Sequence, residues 1–304
     1  MSRAPILFIV FNRPDTTARV LDRILASKPQ KLYVAGDGPN NPVNKELVEA
    51  TRKLVLDKTK ATKTEFLWRD KNLGCKKGVI GAINWFFDNE NEGIILEDDC
   101  LPDESFFKYC ENALKYYREN PKVMHISGSN LQISGGNGDE SVYFSRLPNI
   151  WGWATWKRAW DLYDPEMKRF DEFSSGKYLD DIIKDKALRD RYIKLYRKIY
   201  NGVDTWDFQW TYSNIIYGGV SVIPNYNLIS NIGFGNRATH SIDPNNPLAN
   251  LPLESFDFKA FPNHLNIDKK AETRFLEITN SMPPIHLRII NKAKKLKQLI
   301  FNSK

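Results

Sequence analysis

The stretch that most restricts the fold is Gly93-Ile94-Ile95-Leu96-Glu97-Asp98-Asp99-Cys100-Leu101-Pro102. Its aliphatic run reads as a short buried strand, and it runs without a break into three carboxylates. Like charges at a strand end cannot sit unpaired in a core; each needs a partner or a proton. A divalent cation is the simplest partner, and hard oxygen ligands at the mouth of a strand suit Mg²⁺ or Mn²⁺, ions that commonly bridge to substrate phosphates. The plain alternative is an acidic loop. The helix-like Phe106-Phe107-Lys108-Tyr109 that follows favours the first reading, because open α/β sheets place ligands at strand–acid–helix units.

Upstream, Pro5 to Phe11 is an apolar run of strand length, followed by Asn12-Arg13-Pro14 and a helix that Asp15-Thr16-Thr17 can cap. Lys31 to Ala35 and Thr64 to Trp68 read as further strands, with Gly36-Asp37-Gly38-Pro39 as a turn and a polar helix between. This alternation predicts a parallel sheet with right-handed crossovers. The GxGxxG fingerprint is absent, which argues against a dinucleotide. Lys76 and Lys77 at the start of a helix through Val79, Ile83 and Phe86 suggest an anion site, with solvated lysines as the alternative. Val123 to Gly128 is another strand, in which His125 reads as a core histidine. Ser134 to Asp139 is a loop between the nucleotide-binding half and the rest.

The second half is less regular. Trp151, Trp153, Trp156 and Trp160 cluster as core residues do, yet Gly152 between two indoles also suits a wall for the C–H face of a sugar. Asp180 to Tyr200 is a charged helix. Trp206-Asp207 sets a carboxylate among aromatics, where desolvation would raise its pKa toward that of a general base. Asn231 to His240 is a glycine-containing loop that either folds over a diphosphate, with Arg237 and His240 contributing, or is ordinary surface. The segment Pro283 to Phe301 is basic and amphipathic. It reads as a membrane-surface or partner-binding helix, with a packed terminal helix as the alternative.

The net charge of +7 suits an anionic ligand, nucleic acid or an anionic membrane. Cys75, Cys100 and Cys110 lack zinc spacing and fit a reduced, cytoplasmic protein. No apolar run is long enough to span a bilayer.

In order along the chain, Pro5–Arg13, Asp37-Gly38, Glu97-Asp98-Asp99 with Pro102 and Phe106-Phe107, Trp151-Gly152-Trp153, and Trp206-Asp207 resemble a GT-A fold glycosyltransferase. The similarity is closest to the N-acetylglucosaminyltransferase I type and to bacterial nucleotide-diphospho-sugar transferases. It covers residues 5 to 240. The resemblance implies a Rossmann-like α/β fold with a mixed, mainly parallel sheet flanked by helices. Residues 1–130 would form the nucleotide-sugar half, 131–265 the acceptor and catalytic half, and 266–304 a basic tail.

The resemblance further implies an inverting, metal-dependent transfer from a nucleotide-diphosphate sugar, UDP-linked by preference, to a glycan or lipid-linked acceptor. Phe11, Arg13 and Asp37 would hold the nucleotide, Glu97 and Asp98 the ribose and sugar side, and Lys76 and Arg237 the diphosphate. Asp99 and His240 would bind Mn²⁺ or Mg²⁺, Trp151, Trp153 and Trp206 would meet the acceptor, and Asp207 would be the base. No nucleic-acid partner is expected, and the basic tail, which lies beyond the resemblance, suits a cytoplasmic enzyme working at the inner membrane face. Two rivals remain. A nucleotidyltransferase would carry a glycine-rich basic loop where Phe11-Asn12-Arg13-Pro14 stands; a non-catalytic anion-binding protein would have no need of Asp207 beside Glu97-Asp98-Asp99.

Overall fold

The computed structural model describes residues 4–132, 141–234, 246–255, 258 and 260–280. The loop expected at Ser134 to Asp139, the part from Gly235 onward of the loop expected at Asn231 to His240, and the tail helix from Pro283 lie outside them. In the first half, strands β1 (Ile6–Val10), β2 (Leu32–Gly36), β3 (Thr64–Trp68) and β4 (Glu92–Glu97) alternate with helices α1 (Pro14–Ala26), α2 (Pro42–Lys58) and α3 (Gly74–Phe87). All adjacent pairs here are parallel, with Ile6 opposite both Leu32 and Ile94 and Leu32 opposite Thr64. Period-two alternation divides the strands between two cores: Ile6, Phe8, Ile94 and Leu96 face one, Leu7 and Ile95 the other.

Helix α1 begins two residues earlier than an Asp15 cap would give. Pro14 occupies its first turn, where its fixed φ is already helical, and Arg13 stands at the cap without a side-chain cap bond. Conventional caps appear at α2, where the Asn41 side chain accepts from Asn44 N, and at α4 (Glu104–Tyr117), where Asp103 accepts from Ser105 N.

The remaining strands are β5 (Cys100–Pro102), β6 (Val123–Ser127), β7 (Val142–Ser145), β8 (Trp153–Trp156), β9 (Val220–Pro224) and β10 (Ile229–Asn231). They complete an eight-stranded sheet of order β3-β2-β1-β4-β8-β6-β9-β7, with β5 and β10 as a separate antiparallel pair. Strand β8 runs antiparallel to both β4 and β6, Ala154 lying opposite Ile94 and Ile126. The result is the mixed, mainly parallel, Rossmann-like α/β sheet expected from the sequence. Helix α5 (Lys157–Trp160) packs with β8 in the Trp153 core, and a helical lobe of α6 (Phe170–Ser174), α7 (Lys186–Tyr200) and α8 (Asp207–Ile216) has its own aromatic core of Phe173, Tyr192, Tyr196 and Tyr212. Helix α9 (Lys269–Asn280) is anchored by buried Glu272, which pairs with Arg146 at 2.6 Å. Among the described residues no helix is long and apolar enough to cross a membrane.

His125 is a core residue. Its Nε2 donates to the Asn149 carbonyl at 3.0 Å and its Nδ1 accepts from Trp210 Nε1 at 3.0 Å. Burial lowers it to about 3, so the ring is neutral at physiological pH. It stacks on Trp153, whose centroid lies 5.0 Å away, and Trp153 in turn packs on Trp160, Trp206 and Trp210. Trp153 is 1% exposed, which corrects its expected place against an acceptor: in the middle of the sheet, β8 is covered on both faces. Trp153→Ala should lower the unfolding free energy by about 3–5 kcal/mol in urea titrations. Trp153→Phe should cost clearly less, since the indole N–H it removes has no hydrogen-bond partner.

Candidate active site

The strand order reverses between β1 and β4, and a crevice opens at the carboxyl ends of both. There Phe11 to Arg13 leave β1 and Glu97 to Asp99 leave β4. Phe11 N donates to Asp98 Oδ2 at 3.1 Å, fastening one strand end to the other. Arg13 Nη1 lies 2.7 Å from Asp99 Oδ2 and 3.6 Å from Asp98 Oδ1. Burial by itself would lower the Arg13 guanidinium, but the charges of Asp98 and Asp99 outweigh it and raise it. Burial drives Glu97 and Asp98 well above the usual carboxylate range, and the neighbouring Asp99 charge adds to both shifts. The exit from β10 closes this end. A Cβ at Gly233 would stand 2.1 Å from Asp99 Oδ2, so only glycine fits there.

These acids fit a hard divalent cation in part. Their donors are carboxylate oxygens, and one arginine leaves the cluster short of positive charge. Among the described residues no group of three His, Cys, Asp or Glu side chains is placed to hold an ion. The chain would therefore supply Asp99 only if bound phosphates and water completed the shell, which is how Mg²⁺ is usually held.

A cavity of about 720 Å³ extends from this cluster. On one side lie Asp37, Asn40, Asn44, Arg69 and Asn72. Asp37, just past β2, accepts from Gly38 N at 3.0 Å and from Leu73 N at 2.9 Å; its carbonyl accepts from Arg52 Nη2 at 3.2 Å. On the other side lie Trp151, Trp206 and Asp207. Asp207 is the first residue of α8 and accepts a hydrogen bond from the Thr205 hydroxyl. Trp151 packs edge-on against Phe234, with centroids 5.8 Å apart. Trp206 lines the cavity but is only 3% exposed, most of its ring being spent on Trp153.

Of the residues singled out in the sequence, Phe11, Arg13, Asp37, Glu97, Asp98, Asp99, Trp151, Trp206 and Asp207 line this one cavity. Trp153 does not, and neither does Lys76, whose Nζ pairs with Glu166 at 3.3 Å. Arg237 and His240 lie outside the described residues. The anion site expected at the start of α3 is filled from within. Cys75 N and Lys76 N donate to the two carboxylate oxygens of Asp204, at 2.9 and 2.8 Å. Gly74, at φ +78°, makes room for it, since a Cβ there would come within 2.7 Å of Asp204 Oδ2. Asp204 thus ties the segment leading into Asp207 to the first turn of α3. The sequence gives no sign of this, because the partners are 129 residues apart. Cys75 also lines the cavity, where burial pushes its thiol up to about 12.

No family model matches the chain, and no curated protein matches it. Among solved structures it is similar to S. aureus TarS 1-349, at 12% identity and TM-score 0.42, covering 75% of this chain and 59% of that one. It is also similar to HddC from Yersinia pseudotuberculosis, at 11% identity and TM-score 0.35, covering 51% and 77%. A third, UDP-glucose pyrophosphorylase complexed with UDP-glucose, stands at 8% identity and TM-score 0.32, covering 53% and 78%. Likeness at this level carries nothing about activity.

Two outcomes follow from the geometry. Asp204→Ala removes an acceptor from a helix N-terminus and should lower stability by about 1 kcal/mol in denaturant titrations. Glu97, whose carboxyl is raised in the fold, binds its proton more tightly folded than unfolded. Its contribution to stability is therefore full below the ordinary carboxylate range and is lost as pH rises through neutrality. In metal-free buffer, the Tm of Glu97→Gln should gain on that of the wild type between pH 5 and pH 8; a constant difference would contradict the raised carboxyl.

Proposed function

We propose that this chain is an inverting, metal-dependent glycosyltransferase that moves a sugar from a nucleotide-diphosphate donor, of UDP type, to a hydroxyl of a glycan or lipid-linked acceptor. The observation that carries the reading is that Asp207 and the Glu97-Asp98-Asp99 cluster face one cavity from different elements. They are close enough for the Asp207 charge to add to the upward shift of Glu97. An inverting displacement needs this division of labour: a base on the acceptor side, and groups that receive a phosphate-bearing leaving group on the other.

In the proposed step, Asp207 takes the proton of the acceptor hydroxyl while Thr205 orients its carboxylate. The acceptor oxygen bonds to the anomeric carbon, the bond from that carbon to the diphosphate oxygen breaks, and the electron pair leaves with the nucleoside diphosphate. Arg13 contributes fixed positive charge beside the departing phosphates, and Asp37 with its neighbouring asparagines orients the nucleotide. Mg²⁺ or Mn²⁺, when bound with Asp99, would supply Lewis-acid neutralisation of the diphosphate. The roles of Arg237 at the diphosphate and His240 at the metal rest on the family resemblance.

A thermal-shift panel of nucleoside diphosphates and sugar nucleotides, each with Mn²⁺ and with EDTA, tests the donor side, since a ligand that binds only the folded state raises Tm. One nucleotide should raise it in the presence of metal and lose the effect in Asp99→Ala. Asp207→Asn should lower turnover by about 10²–10⁴-fold while donor binding persists, the range expected for loss of a general base. Full turnover in Asp207→Asn would remove the assignment. Release of pyrophosphate from a nucleoside triphosphate would point to a nucleotidyltransferase instead.

A further inference from the structure

The wall of the cavity opposite the nucleotide side differs in chemistry from the rest. Helix α7 presents Leu195, Lys198 and Ile199 to it, positions that share a helix face, and Val203 and Phe208 continue the wall toward Asp207. Val203 is 46% exposed, an aliphatic side chain left open at the cavity mouth. The polar groups nearby are already engaged: both Asp204 oxygens accept from the α3 N-terminus, and the Thr205 hydroxyl donates to Asp207. This wall therefore offers no free amide or carboxylate of the kind that meets a sugar's hydroxyls one by one.

What it offers is aliphatic surface and positive charge. Within α7 stand Lys186, Arg189, Arg191, Lys194, Arg197 and Lys198 against a single acid, Asp190. Lys186 pairs with Asp190, and Arg189 with Asp180. Lys198, which lines the cavity, has no ion-pair partner among the described residues, nor have Arg191 and Lys194. A lone cation between Leu195 and Val203 complements a ligand that is apolar along its length and anionic at one point.

We infer that this wall is the acceptor subsite and that its occupant is an amphiphilic phosphate: a hydrocarbon chain lying on Leu195, Val203 and Phe208, with its phosphate at Lys198. The inference rests on the donor–acceptor reading of the cavity and narrows the acceptor to a lipid phosphate that carries the accepting hydroxyl toward Asp207. The attraction of the α7 charges would also bring such a ligand to the cavity mouth from an anionic surface.

Calorimetric titration of the full chain with dodecyl phosphate, below its micelle concentration, tests it, with dodecyl maltoside and inorganic phosphate as the comparison ligands. Dodecyl phosphate should bind at least tenfold more tightly than either. Lys198→Glu and Val203→Asp, both at exposed positions that the fold tolerates, should each weaken it about tenfold or more. Equal binding of dodecyl maltoside, or binding of dodecyl phosphate unchanged in both variants, would overturn the proposal. The nucleotide thermal-shift panel reads the donor side separately. If that panel is silent while dodecyl phosphate binds as expected, the glycosyltransferase reading and the acceptor role fail together and only an amphiphilic-phosphate site stands; the converse result removes that site alone.

Discussion

Three carboxylates against one arginine is the constraint on which the site depends. Glu97, Asp98 and Asp99 stand at the end of a buried strand because β4 is apolar up to Leu96 and the sheet then stops. Desolvation there disfavours charge, and Arg13 offsets only part of it. The cluster is therefore held together by elements that do not touch one another in sequence. The Phe11 amide, the Arg13 guanidinium and the close approach of Gly233 all converge on Asp98 and Asp99. Removing the Arg13 charge would alter the charge balance of the whole crevice, since Asp98 and Asp99 both face it.

The sheet explains why this crowding is available for binding. Reversal of strand order between β1 and β4 leaves a gap at their carboxyl ends that no crossover helix covers. Two consecutive β–α connections deliver Arg13 and Asp37 to that gap, and β4 delivers the acids. The helical lobe closes the other side. Its attachment is again electrostatic: the Asp204 carboxylate at the α3 N-terminus, where helix dipole and unpaired N–H groups both favour negative charge.

What was legible in the sequence followed local periodicity. Strand β3 has the bounds that its composition gives, Thr64–Trp68, and His125 lies in the core as its place between Met124 and Ile126 implies. The Arg13, Asp37 and Glu97-Asp98-Asp99 positions could be found because each follows a recognisable strand. Trp153 misled because aromatic residues serve core and sugar-binding surfaces alike; only the antiparallel pairing of β8 with both β4 and β6 decides between them. Lys76 misled for a different reason. A long flexible amine has no direction written in sequence, and its partner Glu166 comes from the far half of the chain. The apolar wall on α7 was hidden within a helix whose charge pattern reads as plain solvated surface.

The attachment through Asp204 bears on how the two sides of the cavity work together. Asp204 and Asp207 are separated by one turn of chain, with Thr205 bonded to Asp207 and the Trp206 carbonyl accepting from the Tyr163 hydroxyl at 3.0 Å. Moving the backbone at Asp207 would disturb the bonds at the α3 N-terminus and the packing of Trp206 on Trp153. Helix α3 meanwhile carries Gly78 past Asp37, whose oxygen a Cβ at that position would approach to 3.3 Å. The same helix therefore touches the Asp37 side of the cavity and holds the segment that sets Asp207. Displacing α3 would move both together, so its N-terminus is the point at which the two halves of the site are kept in register.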